Sequence, residues 1–132
     1  MTRPAHLNWS KQVTQENKIL KRYIPRDSFD SYEDFLENFA INVPEKFNFA
    51  ADIVDGWAKE KPEQPALVWC NDAGDERRFS FADISLLSAK AAVALKRLGL
   101  KRGDTLLMLL KRRWQFWVLA PACIRLGIVF IP

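Results

Sequence analysis

Residues 79–132, FSFADISLLSAKAAVALKRLGLKRGDTLLMLLKRRWQFWVLAPACIRLGIVFIP, contain the pattern that decides the fold. Ser80 and Asp83 form an S-x-x-D start, which predicts a helix N-terminus because a hydroxyl and a carboxylate can bind the free N–H groups of a first turn. Gly99 follows as the expected left-handed residue after the last turn. The apolar residues between these two signals repeat at helical spacing, which predicts one buried face: Ile84, Leu87, Ala91, Leu95 and Leu98.

A strand, a helix and a second strand are predicted after this helix. Thr105–Leu110 (TLLMLL) is almost entirely apolar, as expected of a parallel strand buried on both faces. Trp114–Leu126 is apolar nearly all round and predicts a helix buried between layers, in which Pro121 must kink the helix or remove one hydrogen bond. Gly127 ends that helix, and Ile128–Ile131 is the second strand. A βαβ unit of this length predicts the α/β fold class with a parallel sheet.

A hairpin and further helices are predicted upstream. Ala66–Cys70 and Arg77–Phe81 are short candidate strands, and Asn71–Gly74 between them has the composition of a turn. Two amphipathic helices precede the hairpin, each with a polar N-cap candidate at its start and a proline beyond its end. The caps and the prolines are Asp30 or Ser31 with Pro44, and Asn48 with Pro62.

Composition excludes several classes of protein. The chain has 132 residues, of which 48% are apolar, enough for one buried core. No apolar run approaches the roughly 18 residues of a membrane span, and no apolar segment of a secretory signal opens the sequence. Cys70 and Cys123 are predicted to be buried free thiols in a reducing cytosol. The single histidine, His6, argues against a histidine-rich zinc site.

Positive charge is concentrated in one segment. Seven bases and one acid lie between Lys96 and Arg113, within a net charge of +4. Such a cluster can meet phosphate on a nucleic acid, a nucleotide or coenzyme A, although a solvated face or a patch for the rest of a larger protein explains it better. Lys111, Arg112 and Arg113 follow a predicted strand, near where sheet proteins bind ligands, but a solvated loop is favoured there too. Nucleic-acid binding is not expected.

No motif of nameable catalytic chemistry is present. The sequence lacks G-x-x-x-x-G-K-[ST], G-x-G-x-x-G, G-x-S-x-G and C-x-x-C. The acids of Asp30–Glu37 fit a solvated helix face, and Trp114, Phe116 and Trp117 fit a core better than a base-stacking surface. We therefore assign no catalytic, cofactor-binding or metal-ligating residue from the sequence.

Three segments together resemble the N-terminal part of AMP-forming acyl-CoA synthetases, members of the adenylate-forming superfamily, and most closely the medium-chain branch. They are VPEKFNFAADIVDGWAKEKPEQPALVWCNDAG (43–74), FSFADISLLSAKAAVALKRLGLKRGDTLLMLLKR (79–112) and FWVLAPACIRLGIVFIP (116–132). The specific feature is the order of F-N-F-A, K-P-E-Q-P-A-L, L-G-L-K-R-G-D and C-I-R-L-G-I-V-F-I-P. One departure is visible: medium-chain members usually read Pro-x-x-Glu-Trp-Trp after the strand, whereas Arg113-Trp114-Gln115-Phe116-Trp117 lacks that acid.

The resemblance implies an enzyme that joins a carboxylic acid to coenzyme A with ATP and Mg²⁺. It implies that residues 1–42 are a lead-in and that 43–132 begin the AMP-binding domain, as the first part of a larger cytoplasmic protein. The Gly/Ser/Thr-rich phosphate loop and the C-terminal lysine of such enzymes are absent from this sequence. The chain alone is therefore expected to be inactive and to need the remainder of a synthetase chain as its partner.

Two further expectations concern interactions. The strands Thr105–Leu110 and Ile128–Ile131 would lack neighbours in an isolated chain, and their open edges predict self-association. The alternative to an enzyme portion is a stand-alone, non-catalytic interaction module that holds an acidic partner on a basic face formed by Lys96–Arg113.

Overall fold

This computed structural model describes residues 18–132 of the chain. They contain five α-helices, a short π-helix and four strands. His6 lies outside the described residues. Contacts divide the described chain into two units, residues 18–43 and Pro44–Pro132. The elements are α1 (Lys18–Tyr23), α2 (Tyr32–Asn38), the π-helix (Ala50–Val54), α3 (Asp55–Glu60), β1 (Pro65–Cys70), β2 (Glu76–Ser80), α4 (Phe81–Arg97), β3 (Thr105–Leu107), α5 (Phe116–Leu126) and β4 (Val129–Ile131).

Helix α2 of the first unit is held by polar contacts at its N-terminus. Of the two predicted caps, Ser31 is the one used: its Oγ accepts from the backbone N–H of Asp34 at 3.1 Å. The Asp34 carboxylate accepts from the backbone N–H of Asp30 and from the guanidinium of Arg26, which lowers the pKa of Asp34. Glu33 and Glu37 are exposed, as predicted for a solvated acidic face. No apolar residue of α2 is buried, so the apolar face of this amphipathic helix is not covered as predicted.

The capping box of α4 is confirmed. Ser80 Oγ accepts from the backbone N–H of Asp83, and the Asp83 carboxylate accepts from the backbone N–H of Ser80 at 2.9 Å. Gly99 adopts the predicted left-handed conformation with φ of 94°. The prediction that Leu98 lies on the buried face of the helix is wrong. Its side chain is 77% exposed, because Leu98 is the C-cap residue and lies beyond the apolar face that packs on the core.

Strands β1 and β2 form the predicted antiparallel hairpin, paired from Pro65 with Ser80 to Cys70 with Glu76. Side chains of β1 alternate, so that Leu67 and Trp69 are partly buried while Val68 faces solvent.

The second sheet is the predicted parallel βαβ unit, in which β3 pairs with β4 from Thr105 with Val129 to Leu107 with Ile131. Leu106 and Phe130 pack against the buried core of the unit. The predicted strand to Leu110 is too long, since β3 ends at Leu107, where its pairing with the short β4 also ends.

Burial of this sheet on both faces is also a wrong prediction. Within residues 18–132 the sheet has two strands, and the side chains opposite the helices stay in solvent. Leu107 is 59% exposed, Val129 56% and Ile131 48%. An apolar face therefore remains bare on the one sheet that the sequence predicts to be fully covered.

Helices α4 and α5 supply most of the core. One cluster joins Ala92 and Leu95 of α4 to Ala122 and Cys123 of α5 and to Ile128. A second cluster contains one buried residue from each of three helical segments: Val54, Ile84 and Val118.

A charged cluster ties the same helices together. The Arg125 guanidinium of α5 donates two hydrogen bonds to the Asp55 carboxylate of α3, at 2.6 and 2.5 Å. From α4, Ser85 Oγ donates to the same carboxylate at 2.6 Å, and Ser88 Oγ accepts from Arg125 Nε at 3.2 Å. The side chains of Arg125 and Asp55 are 16% and 24% exposed. We call these four residues the polar clamp.

Charge pairing sets the protonation state of the polar clamp. The Arg125 guanidinium lowers the pKa of the Asp55 carboxyl, the Ser85 hydroxyl lowers it further, and partial burial opposes both. The Asp55 carboxyl is therefore charged near neutral pH.

Asp55→Asn should destabilise the chain by about 2 kcal/mol at pH 7, because it leaves the partly buried Arg125 without its counter-charge. Because folding lowers the Asp55 pKa, the stabilisation is present above about pH 4 and is lost as pH falls through the folded-state pKa. Urea unfolding of the wild type and of Asp55→Asn at several pH values measures the difference in their free energies of unfolding. Glu76→Gln, which breaks the exposed pair with Arg78, is the matched control and should cost under about 0.5 kcal/mol. Equal losses of unfolding free energy for Asp55→Asn and Glu76→Gln would contradict a stabilising role for the Asp55–Arg125 pair.

Ser80→Ala should destabilise the chain by about 1 kcal/mol, since the first turn of α4 loses its side-chain acceptor. Ser80→Asp keeps an acceptor and should retain most of the stability. Urea midpoints of the two variants provide the comparison, and a loss for Ser80→Asp as large as for Ser80→Ala would rule out the cap.

Candidate functional site

Lys111, Arg112 and Arg113 lie at the carboxyl end of β3, in the connection that leads to α5. The backbone turns tightly there, with the N–H of Arg113 donating to the carbonyl of Lys111 at 2.5 Å. All three side chains are exposed. In open α/β sheets, this is the end of a strand at which ligands bind.

An indole anchors this basic loop to the hairpin. Trp69 Nε1–H donates to the backbone carbonyl of Arg112 at 2.8 Å, across 43 residues of sequence. The result is a groove of about 860 Å³ between the end of β1 and the loop, lined by Trp69–Ala73 and Lys111–Arg113. Asp72 is the only carboxylate in this lining.

Hydrogen bonds within the hairpin turn shape the opposite wall of the groove. Asn71 Oδ1 accepts from the backbone N–H groups of Ala73 and Asp75, and Asn71 Nδ2 donates to the Asp75 carboxylate at 2.8 Å. The predicted turn Asn71–Gly74 is thus an ordered structure, with Gly74 in the left-handed region at φ of 85°.

An apolar recess of about 320 Å³ continues the groove. It shares Trp69 and the three basic residues and adds Leu110, Phe116 and Trp117. The prediction that Trp117 belongs to the core is wrong, because its side chain lies on the outer side of α5 and is 55% exposed.

Trp114 is partly buried and packs against the core, as predicted. Its ring lies 5.0 Å from that of Phe79 and against the second core cluster. The Arg77 guanidinium covers it at 5.3 Å from the ring centroid.

The basic segment is divided between two places. Lys96 and Arg97 end α4, and Lys101 and Arg102 occupy the turn before β3, so these four precede the strand. Lys111–Arg113 follow its other end. The basic segment thus contributes two groups of cations, one before β3 and one after it, and the basic face Lys96–Arg113 of an interaction module stays a prediction.

The two cysteines differ in environment. Cys123 is buried, and burial raises the pKa of its thiol. Cys70 is exposed, which contradicts the predicted burial. The reason is its place in β1, where it points to the same solvent side as Val68 while Leu67 and Trp69 point inward.

The described residues offer cations and aromatic surface but no arrangement for metal chemistry. Between residues 18 and 132, no group of three or more His, Cys, Asp or Glu side chains is placed to hold a metal ion. No helix in the same range is long and apolar enough to cross a membrane. The groove can hold an anion, because three cations meet one carboxylate in its lining.

Sequence reasoning does not find two of the long-range contacts described above. The Trp69–Arg112 contact joins residues 43 positions apart, and the Asp55–Arg125 pair joins residues 70 positions apart. No local spacing marks either pair, so neither was accessible without the fold.

Comparison with known proteins gives the family context. The family model described as AMP-binding enzyme matches residues 54–132. The human mitochondrial acyl-coenzyme A synthetase ACSM4 is 47% identical over 96 residues, which cover 68% of this chain and 17% of the relative. Human mitochondrial ACSM3 is 40% identical over 111 residues, covering 80% and 19%.

Solved structures agree on the fold. A fatty acyl-adenylate ligase from L. pneumophila, in complex with acyl adenylate and pyrophosphate, superposes with a TM-score of 0.60 at 18% identity, over 69% of this chain and 16% of that one. The chain thus spans about a fifth or less of the length of the two human synthetases and the ligase. Because the family model covers more than half of the chain, this protein belongs to the AMP-binding enzyme family.

Proposed function

We propose that this chain is the N-terminal portion of an ATP-dependent acyl-CoA synthetase. The observation that supports this most strongly is its 40–47% identity to human enzymes named acyl-coenzyme A synthetases. The match to the AMP-binding enzyme model over 54–132 supports it independently of any single relative.

The proposed reaction has two steps. A carboxylate oxygen attacks the α-phosphorus of ATP, forming an acyl-adenylate and releasing pyrophosphate. The thiol of coenzyme A then attacks the acyl carbon and releases AMP, leaving the acyl-CoA thioester. Mg²⁺ would offset the negative charge of the triphosphate, which otherwise repels the carboxylate nucleophile.

This chain does not itself perform the chemistry of that reaction. The sequence has no Gly/Ser/Thr-rich phosphate loop, and the clamp residues Asp55 and Arg125 are committed to each other. We propose that the α4–β3–α5–β4 arrangement supports a larger AMP-binding domain, with residues 1–42 as a lead-in and 43–132 as its beginning. The remainder of the synthetase would be its partner.

Substrate and compartment belong to the same proposal. Medium-chain carboxylic acids, and hence a role in fatty acid metabolism, are supported by the resemblance of residues 43–132. The cytoplasm was expected from the sequence, whereas the curated relatives are named as mitochondrial proteins. Fractionation of cells that express a tagged protein decides between the two compartments.

The 132-residue chain should show no acid-dependent ATP–pyrophosphate exchange, because its sequence has no Gly/Ser/Thr-rich phosphate loop to position the triphosphate for attack. A protein in which the reading frame continues through a Gly/Ser/Thr-rich loop should form acyl-CoA from octanoate, ATP and coenzyme A, as detected by mass spectrometry. Exchange by the 132-residue chain would overturn its structural role. A longer protein that is inactive towards all carboxylic acids would overturn the proposed reaction.

Self-association of the chain is expected through the bare face and open edges of β3 and β4. Sedimentation velocity should show species larger than a monomer at micromolar concentration. Leu107→Lys with Ile131→Lys should restore the monomer, because charge on the bare face opposes pairing. Lys96→Glu with Lys101→Glu, which lie before β3, form the control; a wild-type monomer would contradict the prediction.

A further inference from the structure

We propose that Lys111, Arg112 and Arg113 bind the phosphate groups of an adenosine phosphate, whose base lies in the adjoining apolar recess. The site is the groove between the basic loop and the hairpin together with that recess. It is separate from the polar clamp, and it lies at the carboxyl end of β3.

The three cations are available to a ligand. Within residues 18–132, no residue of the basic loop takes part in an ion pair. Consecutive like charges repel one another, so a polyanion in the groove relieves repulsion in addition to forming new contacts. Arginine also offers paired N–H donors that match two oxygens of one phosphate.

The loop is ordered before any ligand arrives. Trp69 holds the carbonyl of Arg112, and Asn71 holds the facing turn through three hydrogen bonds. Binding therefore costs less ordering of backbone than it would on a free loop, which leaves more of the contact energy for affinity.

The shape of the groove argues for an organic phosphate over a simple anion. Its two parts have volumes of about 860 and 320 Å³, within the range of roughly 300–1,000 Å³ per site that small molecules use. The recess offers Leu110, Phe116 and the half-exposed Trp117 beside the cations. A purine can stack on such an indole while its phosphates reach the basic loop.

Two ligands of the proposed function share this chemistry. ATP and coenzyme A both contain an adenosine phosphate, and assigning either as the source rests on the proposed function. The site itself rests on the geometry alone. A binding measurement on the 132-residue chain separates the two, because it needs no catalysis.

The experiment is a calorimetric titration of the 132-residue chain with three probes at low salt: adenosine 3′,5′-bisphosphate, ATP and inorganic tripolyphosphate. Both nucleotides should bind several-fold more tightly than tripolyphosphate, because only they fill the recess. Tighter binding of the bisphosphate would indicate the coenzyme A end as the natural ligand, and tighter binding of ATP the nucleotide substrate. Equal affinity for all three probes would contradict the placement of the base in the recess. No binding of any probe would overturn the proposed phosphate site.

Charge-matched variants test the location. Replacing all three residues of the basic loop by Gln should weaken nucleotide binding at least about tenfold. The control variant, Lys96→Gln with Arg97→Gln and Lys101→Gln, removes the same charge before β3. Its nucleotide affinity should stay within about twofold of the wild-type value. Equal losses would show that only net charge matters and would overturn the proposal.

Single substitutions keep the test valid if a triple variant fails to fold. Asp72→Asn removes the only carboxylate of the groove lining and should tighten binding about twofold. Trp117→Ala should weaken the binding of both nucleotides and leave the binding of tripolyphosphate unchanged. A Trp117→Ala variant that binds all probes like the wild type would contradict the stacking role.

Discussion

The bidentate pair between Asp55 and Arg125 is the constraint on which the unit Pro44–Pro132 depends. It is shared by three helices, since Ser85 and Ser88 of α4 complete its hydrogen bonds. A mostly buried charge pair costs desolvation energy and is stabilising only in good geometry, so it allows little variation in how α3, α4 and α5 meet. The sheet adds little to this arrangement, because β3 and β4 contribute three residues each.

This arrangement explains why the chain has a definite fold and a bare side. The helices cover one face of β3 and β4, where Leu106 and Phe130 join the core. The opposite face and the basic loop are both exposed. In the proposed synthetase, one of these surfaces would meet the rest of the domain and the other a phosphate-bearing ligand. The described residues therefore form a scaffold with two surfaces proposed to make contacts: the bare face of β3 and β4, and the basic loop.

Local signals predicted the elements well, and the reasons are specific. The Ser80–Asp83 box, the glycine after α4 and the hairpin turn each act within a few residues, so the sequence reveals them directly. Burial was predicted less well. Leu109 and Trp117 are apolar and exposed, because what covers a side chain depends on elements that sequence pattern does not locate. The polar clamp and the Trp69 anchor were missed for the same reason: their partners are 70 and 43 residues away.

The most direct test of the polar clamp is a double-mutant cycle between Asp55 and Arg125. Urea unfolding of Asp55→Asn, Arg125→Gln and the double variant yields their coupling free energy at pH 7. A coupling of about 2 kcal/mol is expected at pH 7, and it should decrease as the pH falls through the folded-state pKa of Asp55, because the carboxylate then becomes protonated. A coupling below about 0.5 kcal/mol would mean that apolar packing alone holds the three helices, and would contradict the central place of this ion pair.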